Sequence, residues 1–133
     1  MNLKKLKNNK KGFTLIEIIV VVVILAVLMA VAVPAVMSYL DEADNAKYET
    51  LGRSALIAVQ TEYAKDYADD HTVVPSNVVS KAVTRVCSDG DYKENDITIS
   101  YTSNNVKHTV TQVVVTYDSK TITVDANKSV KVS

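Results

Sequence analysis

Glu17 sits inside an apolar run otherwise long enough to cross a bilayer, and no other residue constrains the fold of this chain as strongly. From Lys11 to Val36 the sequence reads Lys-Gly-Phe-Thr-Leu-Ile-Glu and then nineteen residues without a charge. An acidic side chain near the centre of a spanning helix costs roughly 2.5 to 3.5 kcal/mol on insertion scales, and such residues are usually paired. The partner must be a positive charge at the same depth, and no Lys or Arg occurs between Phe13 and Leu40. Cleavage after Gly12 would create one, the α-amino group of Phe13.

The first twelve residues support that cleavage. They hold Lys4, Lys5, Lys7, Lys10 and Lys11 and no acid, which keeps this end in the cytoplasm by the positive-inside rule. An ordinary secretory signal is cut on the far side of its apolar region, after small residues. Here the far side reads Met37-Ser38-Tyr39-Leu40-Asp41, a poor site of that kind. The apolar segment is therefore expected to stay with the mature protein.

Gly12-Phe13-Thr14-Leu15-Ile16-Glu17 resembles the cleavage and methylation motif of type IV pilins and of the pseudopilins of type II secretion and competence systems. The resemblance covers Lys10 to about Leu40. It implies that a prepilin peptidase cuts between Gly12 and Phe13 and methylates the new Phe13 amine. It further implies that Glu17 meets the N terminus of a neighbouring subunit during assembly, and that Pro34 sits in a helix stretch able to unwind in the filament. Ala26 stands where the family commonly has Gly, and Ala is the strongest helix former, which argues against extensive unwinding there. A plain membrane anchor explains the lysines and the apolar run, but not Gly12, Phe13 and Glu17 together.

Removing twelve residues leaves 121 of the 133, and the aqueous part, roughly 90 residues, suffices for one small core. Five of the fifteen basic residues fall in the leader, so the mature chain carries ten against fifteen acids, a formal charge of −5. That balance disfavours general nucleic-acid binding, which rests on clustered Lys and Arg. Cys87 is the only cysteine, so there is no intrachain disulfide, whereas many Gram-negative type IV pilins close a C-terminal loop with a pair. Cys87 reads as a small buried hydrophobe.

Beyond Pro34 the helical period continues but turns amphipathic. Val36, Leu40, Ala43, Ala46, Leu51, Ala55, Val59 and Tyr63 form one apolar stripe, with Asp41, Glu42, Asp44, Glu49, Glu62 and Asp66 largely off it. A helix from about Phe13 to about Tyr67 would be roughly 80 Å long. Pro34 lacks an N–H and crowds the Ala30 carbonyl, predicting a kink. Gly52, which costs about 1 kcal/mol relative to Ala in a helix, reads equally as close packing in a filament or as simple tolerance.

The last third predicts a meander. Ile97 to Tyr101 alternates, Ser103-Asn104-Asn105 reads as a turn, Val106 to Tyr117 is a long run rich in Val and Thr, Asp118-Ser119-Lys120 turns, and Thr121 to Val124 alternates again. Ser129 to Val132 is a candidate fourth strand. The apolar face of this sheet is expected to cover the stripe from Leu40 to Tyr63. Asp69-Asp70-His71 ends the long helix, and Asn77 to Val83 reads as a short helix or an irregular strand.

Catalytic constellations are missing from the sequence. His71 and His108 have no second ligand at metal-binding spacing, His108 falling in a strand pattern, and there is no Gly-rich phosphate loop. Asp89, Asp91, Glu94 and Asp96 surround Gly90. They read as a solvated loop, with a calcium site as the lesser alternative because the spacing departs from the twelve-residue calcium loop.

The expected architecture is α+β: a long kinked N-terminal helix, apolar and then amphipathic, packed on a C-terminal antiparallel meander. The division is 1–12 leader, 13–40 membrane and filament-core helix, 41–68 amphipathic helix, and 69–133 variable region and sheet. The function expected is a non-enzymatic filament subunit without cofactors, of the kind involved in adhesion or motility. Its implied partners are further copies of itself, the prepilin peptidase, the assembly platform with its ATPase, and the membrane before assembly. A pseudopilin shares the same N terminus, and a membrane-tethered binding domain is the alternative of a different class.

Overall fold

The computed structural model describes residues 12–133. Lys4, Lys5, Lys7, Lys10 and Lys11 of the expected leader lie outside the described residues. The order of elements is α1 (Leu15–Asp70), α2 (Pro75–Asp89), a single 3₁₀ turn (Glu94–Asp96), β1 (Ile97–Asn104), β2 (Thr109–Tyr117), β3 (Lys120–Asp125) and β4 (Val130–Val132). The chain divides between Asp41 and Glu42 into two compact units.

In the first unit α1 is exposed on every side from Leu15 through Leu40 and, Glu17 apart, carries no charge there. It is long and apolar enough to cross a membrane. A helix satisfies its backbone polar groups internally, which is what a span in lipid requires. The helix passes through Pro34 without interruption.

The second unit is an antiparallel sheet with helices on one face, in the order β1-β2-β3-β4. Its core joins Leu51, Ala55, Leu56, Ala58, Val59 and Tyr63 of α1 with Val78, Ala82 and Val86 of α2 and Ile97, Ile99, Val110, Val113, Val115, Ile122 and Val124 of the sheet. The α2 set follows the i, i+4, i+8 spacing of one helix face, and the strand residues alternate inward with period two. Val110 and Val113 break that period yet both face inward. The cause is a β-bulge: Thr102 pairs with Gln112 but Ser103 pairs with Val110, so Thr111 is an extra residue. One extra residue reverses the phase.

Turn chemistry sets the sheet's register. Tyr117 pairs with Lys120, leaving a two-residue loop in which Asp118 and Ser119 have φ of 51° and 61°. Two consecutive left-handed residues make the turn whose twist suits a hairpin. At the end of α1, His71 has φ 49° and its N–H donates to the Tyr67 carbonyl at 2.9 Å, a left-handed C-terminal cap. Pro75 opens α2, where a missing N–H costs nothing. Asp66 of α1 fixes that start, accepting from the Val74 N–H at 3.2 Å and from Lys81 Nζ at 3.4 Å.

Three expectations are corrected. The sheet covers α1 only from Tyr48 to Tyr63, and Ala43 and Ala46 are exposed. Cover stops where the β2–β3 turn ends, with the Tyr48 hydroxyl donating to Asp118 Oδ2 at 3.3 Å. Glu62 lies on the packed side of α1 rather than off the stripe, 7 % exposed, because Arg85 of α2 and Lys65 approach its Oε1 at 3.7 and 3.5 Å. His108 is in a turn and not a strand: β1 continues through Asn104, whose Oδ1 accepts the Val106 and Lys107 N–H groups and closes the turn there. Of the two alternatives for Asn77 to Val83, the helix is the one found, within the fifteen-residue α2.

Candidate functional site

The candidate site is the start of α1. Thr14 precedes the helix and Glu17 is its third residue. The Thr14 N–H donates to Glu17 Oε2 at 3.1 Å, the Glu17 N–H donates to Thr14 Oγ1 at 3.3 Å, and the Thr14 hydroxyl donates to the same Oε2 at 3.3 Å. This is a capping box, in which the residue before the helix and the third residue of the helix satisfy each other's orphan backbone donors. The sequence signal for it is Thr-x-x-Glu, which the demand of a carboxylate in an apolar run for a cation overshadows. Both residues lie C-terminal to the Gly12-Phe13 bond.

Phe13 is 82 % exposed, and among the described residues no heavy atom lies where a side chain on Gly12 would be. A carboxylate near the first turn also meets the positive end of the helix dipole. Glu17 consequently has two favourable interactions within its own chain, the cap and the helix dipole. Pro34 lies within α1, where the Ala30 carbonyl loses its usual donor.

The remaining candidates are dispersed. Asp89 lines a shallow groove between α1 and α2 with Glu62, Lys81 and Arg85, while Asp96 borders a different depression with Tyr117 and Asp118. Glu94 and Asp96 face Cys87; burial first, and then these two carboxylates, push its thiol pKa up. Asp91 follows in the turn after α2. Among the described residues, no three His, Cys, Asp or Glu side chains gather closely enough to hold a metal ion, so the four carboxylates around Gly90 are not brought together.

His71 and His108 meet, but around Tyr67: His108 stacks on its ring at 4.3 Å and His71 contacts it edge-on at 5.3 Å. Both packing contacts tie loops to the end of α1. Cys87 is partly buried against the core, close to the small hydrophobe expected.

The helix start and the comparisons agree. Residues 7–33 match the family model described as the prokaryotic N-terminal methylation motif, so this segment carries the class III signal of type IV pilins. The motif implies processing by a prepilin peptidase, and it supports a pilin-like or pseudopilin precursor. No curated protein and no solved structure matches the chain.

Proposed function

We propose that this chain is the structural subunit of a type IV pilus, stored in the membrane through residues 13–40 and polymerised through that helix into an extracellular filament. The observation that carries the reading is the methylation motif heading a helix that is apolar and uncovered from Leu15 to Leu40. In this account Glu17 pairs with the Phe13 ammonium of an adjacent copy, and Pro34 adapts the helix to its neighbours. The leader 1–12 is removed first, because its lysines hold the precursor at the cytoplasmic face.

A pseudopilin of a secretion or DNA-uptake machine is the nearest second reading, since it rests on the same motif. Electron microscopy of cells lacking the gene separates the two. Loss of all long surface filaments supports the pilus subunit, whereas unchanged filaments overturn it in favour of the pseudopilin.

A further inference from the structure

The β3–β4 turn reads Asp125-Ala126-Asn127-Lys128-Ser129. Of the nine asparagines in the chain, Asn127 alone is followed two residues later by Ser or Thr, with no intervening proline. We propose that Asn127 is an acceptor for an N-linked glycan, transferred from a polyisoprenyl-pyrophosphate-linked oligosaccharide on the outer side of the membrane. The topology rests on the subunit reading above; the acceptor chemistry does not. In the transfer, Asn127 Nδ2 forms a bond to the anomeric carbon of the first sugar while that carbon's bond to the pyrophosphate oxygen breaks. The lipid pyrophosphate departs with the electron pair, and a base of the transferase takes the Nδ2 proton.

The acceptor pattern marks a surface loop of an exported protein, and the turn meets that demand. Ala126, Asn127, Lys128 and Ser129 are all exposed, and none belongs to the core, so a bulky sugar displaces nothing. Only the carbonyl end of the Asn127 side chain is engaged, accepting the Ser129 N–H at 3.0 Å. Its Nδ2 has no protein partner among the described residues. The Ser129 hydroxyl, the other half of the pattern, donates only to Asp125 Oδ2 at 3.1 Å, on the surface. That bond exchanges readily for one to an enzyme.

The turn is also easily opened for a transferase to grip. It is held by the Asp125 N–H to Ser129 carbonyl bond at 3.1 Å, the Lys128 N–H to Asp125 carbonyl bond at 2.8 Å and the Ala126 N–H to Thr111 carbonyl bond at 2.9 Å. Lys128 has φ 67°, a left-handed conformation that is unfavourable for an L-residue. β4 beyond it is three residues long and pairs only with β3. Exposed segments with few buried contacts open locally at small cost.

The test expresses the full-length protein in bacterial cells supplied with an oligosaccharyltransferase and a lipid-linked oligosaccharide of known mass. The glycan mass should appear on the peptide that contains Asn127. It should vanish in Asn127→Asp, which keeps the carbonyl acceptor of the turn, and in Ser129→Ala, yet persist in Ser129→Thr. A membrane-impermeant amine reagent applied to the same cells reports whether the domain is outside. Unmodified Asn127 in a domain that the reagent labels overturns the glycan proposal alone. Failure of the reagent to label the domain overturns the topology of the subunit reading and the glycan proposal with it.

Discussion

Gly52 of α1 packs directly against Ile122 of β3: a methyl group on Gly52 would lie 2.6 Å from Ile122 Cγ2 and 2.8 Å from Val124 Cγ2. The close approach is within one subunit, so Gly52 is explained by how the helix seats on its own sheet. Neither neighbour can yield, since both are fully buried and their β-branched side chains are stiff at χ1.

Gly52→Ala should therefore destabilise the domain. Overpacking costs about 1–3 kcal/mol, which outweighs the roughly 1 kcal/mol that Ala gains as a helix former. A fragment starting at Glu42 contains the whole buried core, and its melting temperature should fall by several degrees. An unchanged or higher midpoint would show that the seat is looser than the distances indicate.

Ser119→Gly should act in the opposite direction. Ser119 is left-handed at φ 61° in a turn whose favoured sequence places Gly at the second position. Relief of that strain, about 1–2 kcal/mol, exceeds the added unfolded-state entropy of Gly, about 0.5–1 kcal/mol. Denaturant unfolding of the same fragment should give a higher midpoint with an unchanged slope.

Asp125 supplies the pH dependence. The hydrogen bond from Gln112 Nε2 at 2.9 Å, and then that from Ser129, hold its carboxyl below the ordinary range, with Lys131 contributing in the same direction. A depressed folded-state pKa stabilises above the unfolded value, near about 3.9, and that contribution is lost as pH falls through the lower folded value. The stability difference between the wild type and Asp125→Asn should be constant from neutral pH to about 5 and shrink below about 4. A difference that stays flat down to pH 2 would mean the carboxylate is not held by these partners.

What the sequence disclosed depended on whether a signal was local. The helix through Asp70, the four strands and the Asp118-Ser119 turn follow from periodicity and turn residues near in sequence. Glu62 did not, because its burial depends on Arg85, twenty-three residues away on α2. Asn104 reads as a turn residue because Asn is a turn former, whereas its side chain closes the following turn from the last strand position. The Gly52 contact needed β3, seventy residues distant. At the helix start every necessary residue was adjacent, and the capping role of Thr14 and Glu17 was hidden only by a stronger competing interpretation of the charge.

Processing is tested at Gly12. Gly12→Leu should leave an uncut precursor in the membrane, because a bulky side chain before the scissile bond must fit the peptidase closely, and the retained lysines should block extraction. Intact-mass analysis should show the full chain for Gly12→Leu and, for the wild type, a chain beginning at methylated Phe13. Wild-type mobility and normal filaments in the variant would remove the cleavage site from this account.

The central claim is that the Glu17 charge joins one subunit to the next, and the capping box supplies the rival explanation that the carboxylate merely starts its own helix. Glu17→Gln separates them, since glutamine serves in a capping box as glutamate does but carries no charge for the Phe13 ammonium. Leaving that ammonium unpaired in an apolar filament core costs about 3–5 kcal/mol in favourable cases. Filaments per cell, counted by electron microscopy beside a mass measurement of the membrane-stored subunit, give the answer. The account predicts few or no filaments for Glu17→Gln, as for Glu17→Val, with a cleaved subunit accumulating in the membrane. Filaments at wild-type number in Glu17→Gln, together with their loss in Glu17→Val, would contradict it and reduce Glu17 to a helix cap.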